Sequence, residues 1–191
     1  MPSDKTLLAF DTSAAQCAAA LFCGGRVIAT RVDDMARGQA EHLMPMLEDV
    51  LADKGMSWSD LTRIGVGIGP GNFTGIRISV SAARGLSLGL GVPAIGVSTL
   101  DALQHLHPGA TIAVPAPRDM IYAQVPGAQP FLIAAEAAPD AVFPDDPHTL
   151  IAAMAEVAAW ADAASADRPK PLYIKPADAA PARDTAPVIL P

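Results

Sequence analysis

The sequence has few charged residues, and its basic residues do not cluster. Only 17% of the 191 residues are charged, the thirteen Lys and Arg are scattered, and the formal net charge is −7. A protein that binds nucleic acid unaided usually shows a basic patch. The sequence therefore indicates either that nucleic acid is not a partner or that another subunit supplies the basic surface.

Cysteine is scarce, and no apolar run is suited to spanning a membrane. Cys17 and Cys23 lack both the Cys-x-x-Cys spacing and a His companion, which predicts reduced thiols in a cytoplasmic protein. We see no signal peptide before the first apolar segment. The longest apolar stretch, 76–100, is interrupted by two arginines and a proline, so no membrane span is predicted.

What the chain does have is a glycine-rich stretch at 63–100, which holds nine of the fifteen glycines. It opens with the apolar run 64–68, turns at 69–72, continues through small and apolar residues at 74–90, and closes with the apolar run 94–97. Runs of this length and order predict a strand, a tight turn, a helix and a second strand, which together form a parallel βαβ unit.

The turn matches neither of the two common phosphate-binding patterns. The dinucleotide pattern G-x-G-x-x-G would need glycine at position 72 or 74, where the chain has Asn72 and Thr74, and the P-loop would need a following Lys-Ser/Thr. Gly69, Gly71 and Gly75 complete this turn. The pattern predicts a helix that begins here with Asn72 or Thr74 as its cap, and such a helix end could attract an anion.

Three strands are predicted at the amino terminus, at 7–10, 18–22 and 27–32, with Gly24-Gly25 as a hairpin turn between the last two. The first strand ends in Asp11, Thr12 and Ser13. An aspartate in this place can hold hydrated magnesium, and the turn can offer amide groups to phosphate. The alternative is a polar turn that only closes the hairpin.

Two helices are predicted around the glycine turn, at 39–54 and 74–90. Pro45 lies inside the first and should kink it or delay its start. Glycine inside a helix costs about 1 kcal/mol relative to alanine, so Gly85 and Gly89 predict close approach to another backbone, in the chain's own sheet or in a partner. Arg77 and Arg84 share a face and are expected to reach acidic groups such as Glu48 or Asp49.

The second half of the chain is rich in proline, with fourteen of the eighteen prolines at or beyond position 108. The pattern predicts a helix at 100–106, short strands at 112–114, 121–125 and 131–134, an alanine-rich helix at 149–164, and a last strand at 172–174. The tail from 176 is predicted to be irregular.

Three motifs together resemble the TsaB family: DTSAAQCAAALF, GPGNFTGIR and GVPAIGVSTLDAL. The resemblance extends over residues 6–106. It implies an α/β fold of the actin/Hsp70 (ribonuclease H-like) type. Residues 1–98 would form an actin-like lobe with a mixed sheet, and 99–191 a reduced α/β lobe with a Pro/Ala-rich tail.

The resemblance also implies a function. Members of this family are non-catalytic dimerisation subunits that support threonylcarbamoyl transfer to the adenosine 3′ of the tRNA anticodon. The catalytic relative, TsaD, carries a His-x-x-x-His metal pair, and the corresponding positions here are Thr99 and Leu103. We therefore predict no metal site and no catalytic residue, and the turn at Asp11, Thr12 and Ser13 would be a vestigial phosphate loop.

The implied partners are a TsaD-type catalytic subunit, a TsaE-type ATPase, tRNA held only through the complex, and a second copy of the chain when isolated. The chain alone would bind no cofactor tightly, while ATP with magnesium and the metal would belong to the partner subunits. An independent ATP-binding kinase or hydrolase of the same superfamily is the alternative. In the family, the two helices form the partner interface, for which we expect Leu43, Met46, Leu47, Val50, Arg77, Val80, Ala83 and Arg84.

Overall fold

A computed structural model describes residues 5–164 and 166–174. The first five strands are β1 (Leu7–Asp11), β2 (Gln16–Cys23), β3 (Arg26–Asp34), β4 (Arg63–Gly67) and β5 (Ala94–Val97). They form one sheet in the order β3-β2-β1-β4-β5. The first three pair antiparallel, whereas β4 pairs parallel with both β1 and β5. The predicted βαβ unit and the mixed sheet are confirmed.

Helices cover both faces of this sheet. On one face lie α1 (Gln39–Ala52) and α2 (Phe73–Leu90), and the core there includes Leu8 and Phe10 of β1. On the other face lies α4 (Pro147–Trp160), packed on Leu7 and Ala9. Successive side chains of a strand point to opposite faces, so the uninterrupted apolar run of β1 is what a strand buried on both sides requires.

The second half of the chain adds α3 (Thr99–Leu106) and the strands β6 (Ile112–Ala116), β7 (Met120–Gln124) and β8 (Phe131–Ala134). These strands form a separate three-stranded antiparallel sheet. An α/β fold with one mixed sheet and one small second sheet is thus confirmed. The division at residue 98 stays a prediction, and α4 crosses it, because this late helix packs on the first sheet.

Several local predictions are confirmed and others are wrong. Asn72 caps α2, since its side chain accepts from the Gly75 amide at 2.9 Å. Pro45 lies within α1, which runs through it. No strand forms at 172–174, where Leu172 makes one backbone hydrogen bond to Ile68 and runs on without a ladder. The predicted tail from 176 lies outside the described residues. Among the helices that the structure describes, none is long and apolar enough to cross a membrane.

Candidate functional site

The Asp11 turn and the glycine turn pack against each other at the carboxyl ends of β1 and β4. The amide of Asn72 donates to the Ser13 carbonyl at 2.7 Å. The Thr12 hydroxyl donates to the Gly75 carbonyl, also at 2.7 Å. Backbone and side-chain groups that a phosphate loop would offer to a ligand are thus bonded within the protein.

Three glycines allow this close approach. A Cβ at Gly67 would lie 2.0 Å from Asp11 Oδ1, one at Gly71 would lie 2.5 Å from the Ser13 carbonyl oxygen, and one at Gly75 would lie 1.9 Å from the Thr12 carbonyl oxygen. No side chain can occupy such space. The glycine-rich turn is therefore explained by contact between two turns of the same chain.

Asp11 is the unusual polar group of this region. It is 4% exposed, and its Oδ2 accepts from the Ser13 hydroxyl at 2.8 Å, but Oδ1 has no partner in the described part of the chain. Burial raises the pKa of this carboxyl above its usual value, although the hydrogen bonds from Ser13 and Thr12 act in the opposite direction. The structure thus holds an unpaired acid at the position predicted for a vestigial phosphate loop.

Two cavities adjoin these turns and differ in charge. The first, which we call the proline cavity, has a volume of about 520 Å³, and its walls include Asp11, Asp145, Pro144 and Pro147. Among the described residues that line it there is no cationic side chain. The second, the aromatic cavity, has a volume of about 560 Å³ and is walled by Phe73, Arg118, Tyr122 and Tyr173, among other residues.

The two positions aligned with the catalytic relative's metal pair are buried in the fold. Thr99 is 4% exposed and its amide donates to the Gly69 carbonyl at 2.9 Å. Leu103 is 1% exposed and packs with Leu100 and Ile112. Within residues 5–164 and 166–174, no three His, Cys, Asp or Glu side chains are grouped so that they could hold a metal ion.

Most of the predicted interface residues need correction. Six of the eight are buried in the chain's own core, between 0% and 3% exposed, and so cannot offer side chains to a partner in this structure: Leu43, Met46, Leu47, Val50, Val80 and Ala83. The apolar period marks the faces of α1 and α2 that pack on the sheet, because a helix on a sheet buries its apolar stripe there.

The two predicted arginines bind the carboxyl-terminal segment. The Arg84 Nε donates to the Pro169 carbonyl at 2.7 Å, and the Arg77 Nε donates to the Tyr173 hydroxyl at 3.3 Å. Asp49, one of their expected partners, pairs with Arg31 at 3.0 Å. The expected ion pairs between α2 and α1 are therefore wrong for these arginines, which line the side of α2 that faces segment 166–174.

The opposite surface of α2 has no packing partner in the described chain at its most exposed points. Residues there follow spacings of three and four and so share one face. We call them the outward stripe: Ile78, Ser81, Ala82, Gly85, Leu88 and Gly89. Leu88 is 84% exposed, and a Cβ at Gly85 or Gly89 would meet nothing within 4 Å. The sequence pointed to these glycines but assigned the interface to the buried face.

Comparison with known proteins gives consistent matches. Residues 32–127 match the family model described as "TsaD: tRNA N6-adenosine threonylcarbamoyltransferase". The chain is 42% identical over 94 residues to the tRNA threonylcarbamoyladenosine biosynthesis protein TsaB of Escherichia coli, covering 49% of this chain and 40% of that protein. With the Haemophilus influenzae TsaB it is 36% identical over 99 residues, covering 51% and 41%. These matches thus span about two fifths of the relatives' own length.

Two solved structures resemble the fold. A Pseudomonas aeruginosa protein described by its similarity to the peptidase YeaZ superposes with a TM-score of 0.72 at 25% identity, covering 90% of this chain and all of that one. YeaZ of Pseudomonas aeruginosa gives a TM-score of 0.55 at 33% identity, covering 68% and 65%. The first superposition extends over both sheets and therefore supports the fold beyond the segment matched in sequence.

Proposed function

Because the chain belongs to the TsaB family, we propose that it acts in tRNA threonylcarbamoyladenosine biosynthesis as a scaffold for a TsaD-type catalytic subunit. The observation that carries the scaffold role is the outward stripe of α2. Small and apolar residues on an exposed helix face permit close helix–helix approach, as in packed helical interfaces. The names of the relatives support the pathway, and the stripe supports the mode of action.

The stripe is difficult to explain within one chain. Each glycine inside α2 costs about 1 kcal/mol relative to alanine, and the open space around Gly85 and Gly89 gives neither a packing reason within the described residues. A partner helix lying across the stripe would supply that reason, and it would also cover Leu88. In the isolated chain a second copy would use the same stripe, so homodimer and heterodimer would compete.

A role without chemistry of its own agrees with the site. Thr99 and Leu103 replace the metal-binding histidines of the resembled catalytic subunit, and neither side chain can act as an imidazole ligand. With a formal net charge of −7, the chain is a poor surface for RNA on its own. We therefore assign metal and tRNA to the other subunits, and ATP with magnesium to a TsaE-type ATPase, in a complex that works in the cytoplasm.

The alternative, an independent ATP-binding kinase or hydrolase, rests on the Asp11 turn. A phosphate group placed in the proline cavity would face Asp11 and Asp145, and the described lining offers no cationic side chain in return. Since like charges repel, this cavity is a poor ATP site. Calorimetry of the isolated chain with ATP and magnesium tests the alternative, and tight binding would favour it.

A reconstituted reaction tests the proposed function. TsaD-type and TsaE-type subunits, tRNA, threonylcarbamoyl-AMP and ATP are combined with and without this chain, and modified adenosine is measured by mass spectrometry. We expect modification only when the chain and the TsaD-type subunit are both present. Equal modification without the chain, or modification by the chain without the TsaD-type subunit, would contradict the scaffold role.

A further inference from the structure

The aromatic cavity and the proline cavity adjoin each other but have opposite chemistry. Both are bounded by Pro70, Pro117 and Tyr122, so a short ridge separates them. The proline cavity has two carboxyl groups in its wall. The described residues around the aromatic cavity include no carboxyl group, and Arg118 is their one cationic side chain. In a chain with a formal net charge of −7, such a local reversal of charge favours anions at one place only.

The walls of the aromatic cavity can hold a flat ring. Phe73 and Tyr173 lie at its edge with ring centroids 5.3 Å apart and planes inclined by 28°, and they are 41% and 43% exposed. Arg77 holds this pair in place, because its guanidinium carbon lies 3.9 Å from the Phe73 centroid and its Nε donates to the Tyr173 hydroxyl. Exposed aromatic rings held in a fixed orientation are the usual platform for stacking another ring.

Arg118 is held at this cavity by a constrained turn. It lies between β6 and β7 with φ of 65°, next to Asp119 with φ of 55°. The left-handed region is uncommon for residues other than glycine, and such residues concentrate at ligand-binding positions. Arg118 is exposed, and no ion pair to it is found among the described residues. Its guanidinium is therefore available, with the fork of donors that suits a phosphate group.

From these features we propose that the aromatic cavity binds a nucleotide, with its base stacked on the aromatic walls and its phosphate on Arg118. The two sources of this chemistry are a free mononucleotide and an unpaired nucleotide of an RNA. The site is separate from the Asp11 turn, where a phosphate would meet two carboxylates. It does not rest on the scaffold role, because the outward stripe contributes no residue to the cavity wall.

Titration of the intact chain tests the proposal. Adenosine 5′-monophosphate is added while amide resonances are followed by NMR, and affinity is measured by calorimetry. Adenosine and ribose 5-phosphate serve as probes that lack the phosphate or the base. We expect shifts at residues of the aromatic cavity and affinities for both partial probes that are about tenfold weaker or worse, since stacking and a charge-assisted hydrogen bond each contribute that much.

Variants locate the site. Arg118→Ala and Tyr173→Leu should each weaken binding about tenfold, whereas Arg168→Ala, an exposed arginine outside the cavity wall, should leave it unchanged. Asp145→Asn should also leave it unchanged, because Asp145 belongs to the proline cavity. A stronger effect of Asp145→Asn than of Arg118→Ala would overturn the assignment.

An RNA hairpin with an unpaired adenosine in its loop separates the two sources. Binding of the mononucleotide with loss in Arg118→Ala supports a free nucleotide as the ligand. Binding of the hairpin alone, with the same loss, supports a nucleotide of RNA. If neither probe binds, or if binding survives both Arg118→Ala and Tyr173→Leu, the proposal is wrong.

Discussion

Replacing Gly85 with leucine should weaken association with a TsaD-type subunit while leaving the fold intact. Gly85 lies at the middle of the outward stripe, and a Cβ there would meet nothing within 4 Å. The substitution therefore removes no contact within the chain. It does place a branched side chain where a partner helix would have to approach.

Two opposing magnitudes follow from this geometry. Leucine is a better helix former than glycine by roughly 0.5–1 kcal/mol, so the free energy of unfolding should rise slightly and Tm should rise by about 2 °C. Overpacking at a close helix contact costs roughly 1–3 kcal/mol. Association should thus weaken by about 5- to 150-fold, in a variant that is at least as stable as the parent.

The assay is light scattering with size separation of mixtures, together with thermal unfolding of each variant alone. Ala137→Leu is the matched control, because Ala137 is exposed on the short helical turn after β8, outside the stripe. Ala83→Leu is a contrast rather than a probe, since Ala83 is 0% exposed and leucine there should destabilise the core. Normal association of a stable Gly85→Leu variant would refute the stripe as the interface.

Three further predictions concern the chain alone. Since burial raises the pKa of Asp11, the folded state keeps this proton to higher pH than the unfolded chain does, and the parent should lose stability relative to Asp11→Asn as pH rises from about 4; urea unfolding across pH checks this, and a pH-independent difference would contradict it. Arg63→Ala should cost about 1–3 kcal/mol in urea unfolding, because its Nη1 donates to three carbonyl groups at the end of α4, and an unchanged midpoint would argue against this docking of α4. Cys17 is buried, and desolvation, followed by the charges of Asp33 and Asp11, raises its pKa to about 11, so iodoacetamide should label the half-buried Cys23 first, as mass spectrometry would show, whereas equal rates would mean that Cys17 is accessible.

The first half of the fold was predictable because its local patterns agree with its packing. β1 is apolar on both faces and lies inside the sheet, where both faces are covered by helices. Asn72 is a good cap residue at the place where α2 begins. In the second half, Leu172 and its neighbours look like a strand by composition, but the segment runs along α2 and forms one backbone hydrogen bond to Ile68. Composition does not reveal whether a strand partner is within reach.

The candidate site was harder to predict, for two physical reasons. The contact between Gly75 and Thr12 joins turns that are distant in sequence, and nothing local in either motif indicates the other. The interface residues were misassigned because apolar periodicity identifies the face that a helix buries, and in α2 that face packs on the chain's own sheet. The available signal was Gly85 and Gly89, which weaken a helix without serving its own core.

The solution mass of an equimolar mixture with a TsaD-type subunit tests the central claim most directly. Both proteins are purified separately, mixed at micromolar concentration, and passed through a sizing column with light-scattering detection. The scaffold role predicts one species with the summed mass of one copy of each chain, formed at the expense of any homodimer. Two separate species that persist at this concentration would contradict it.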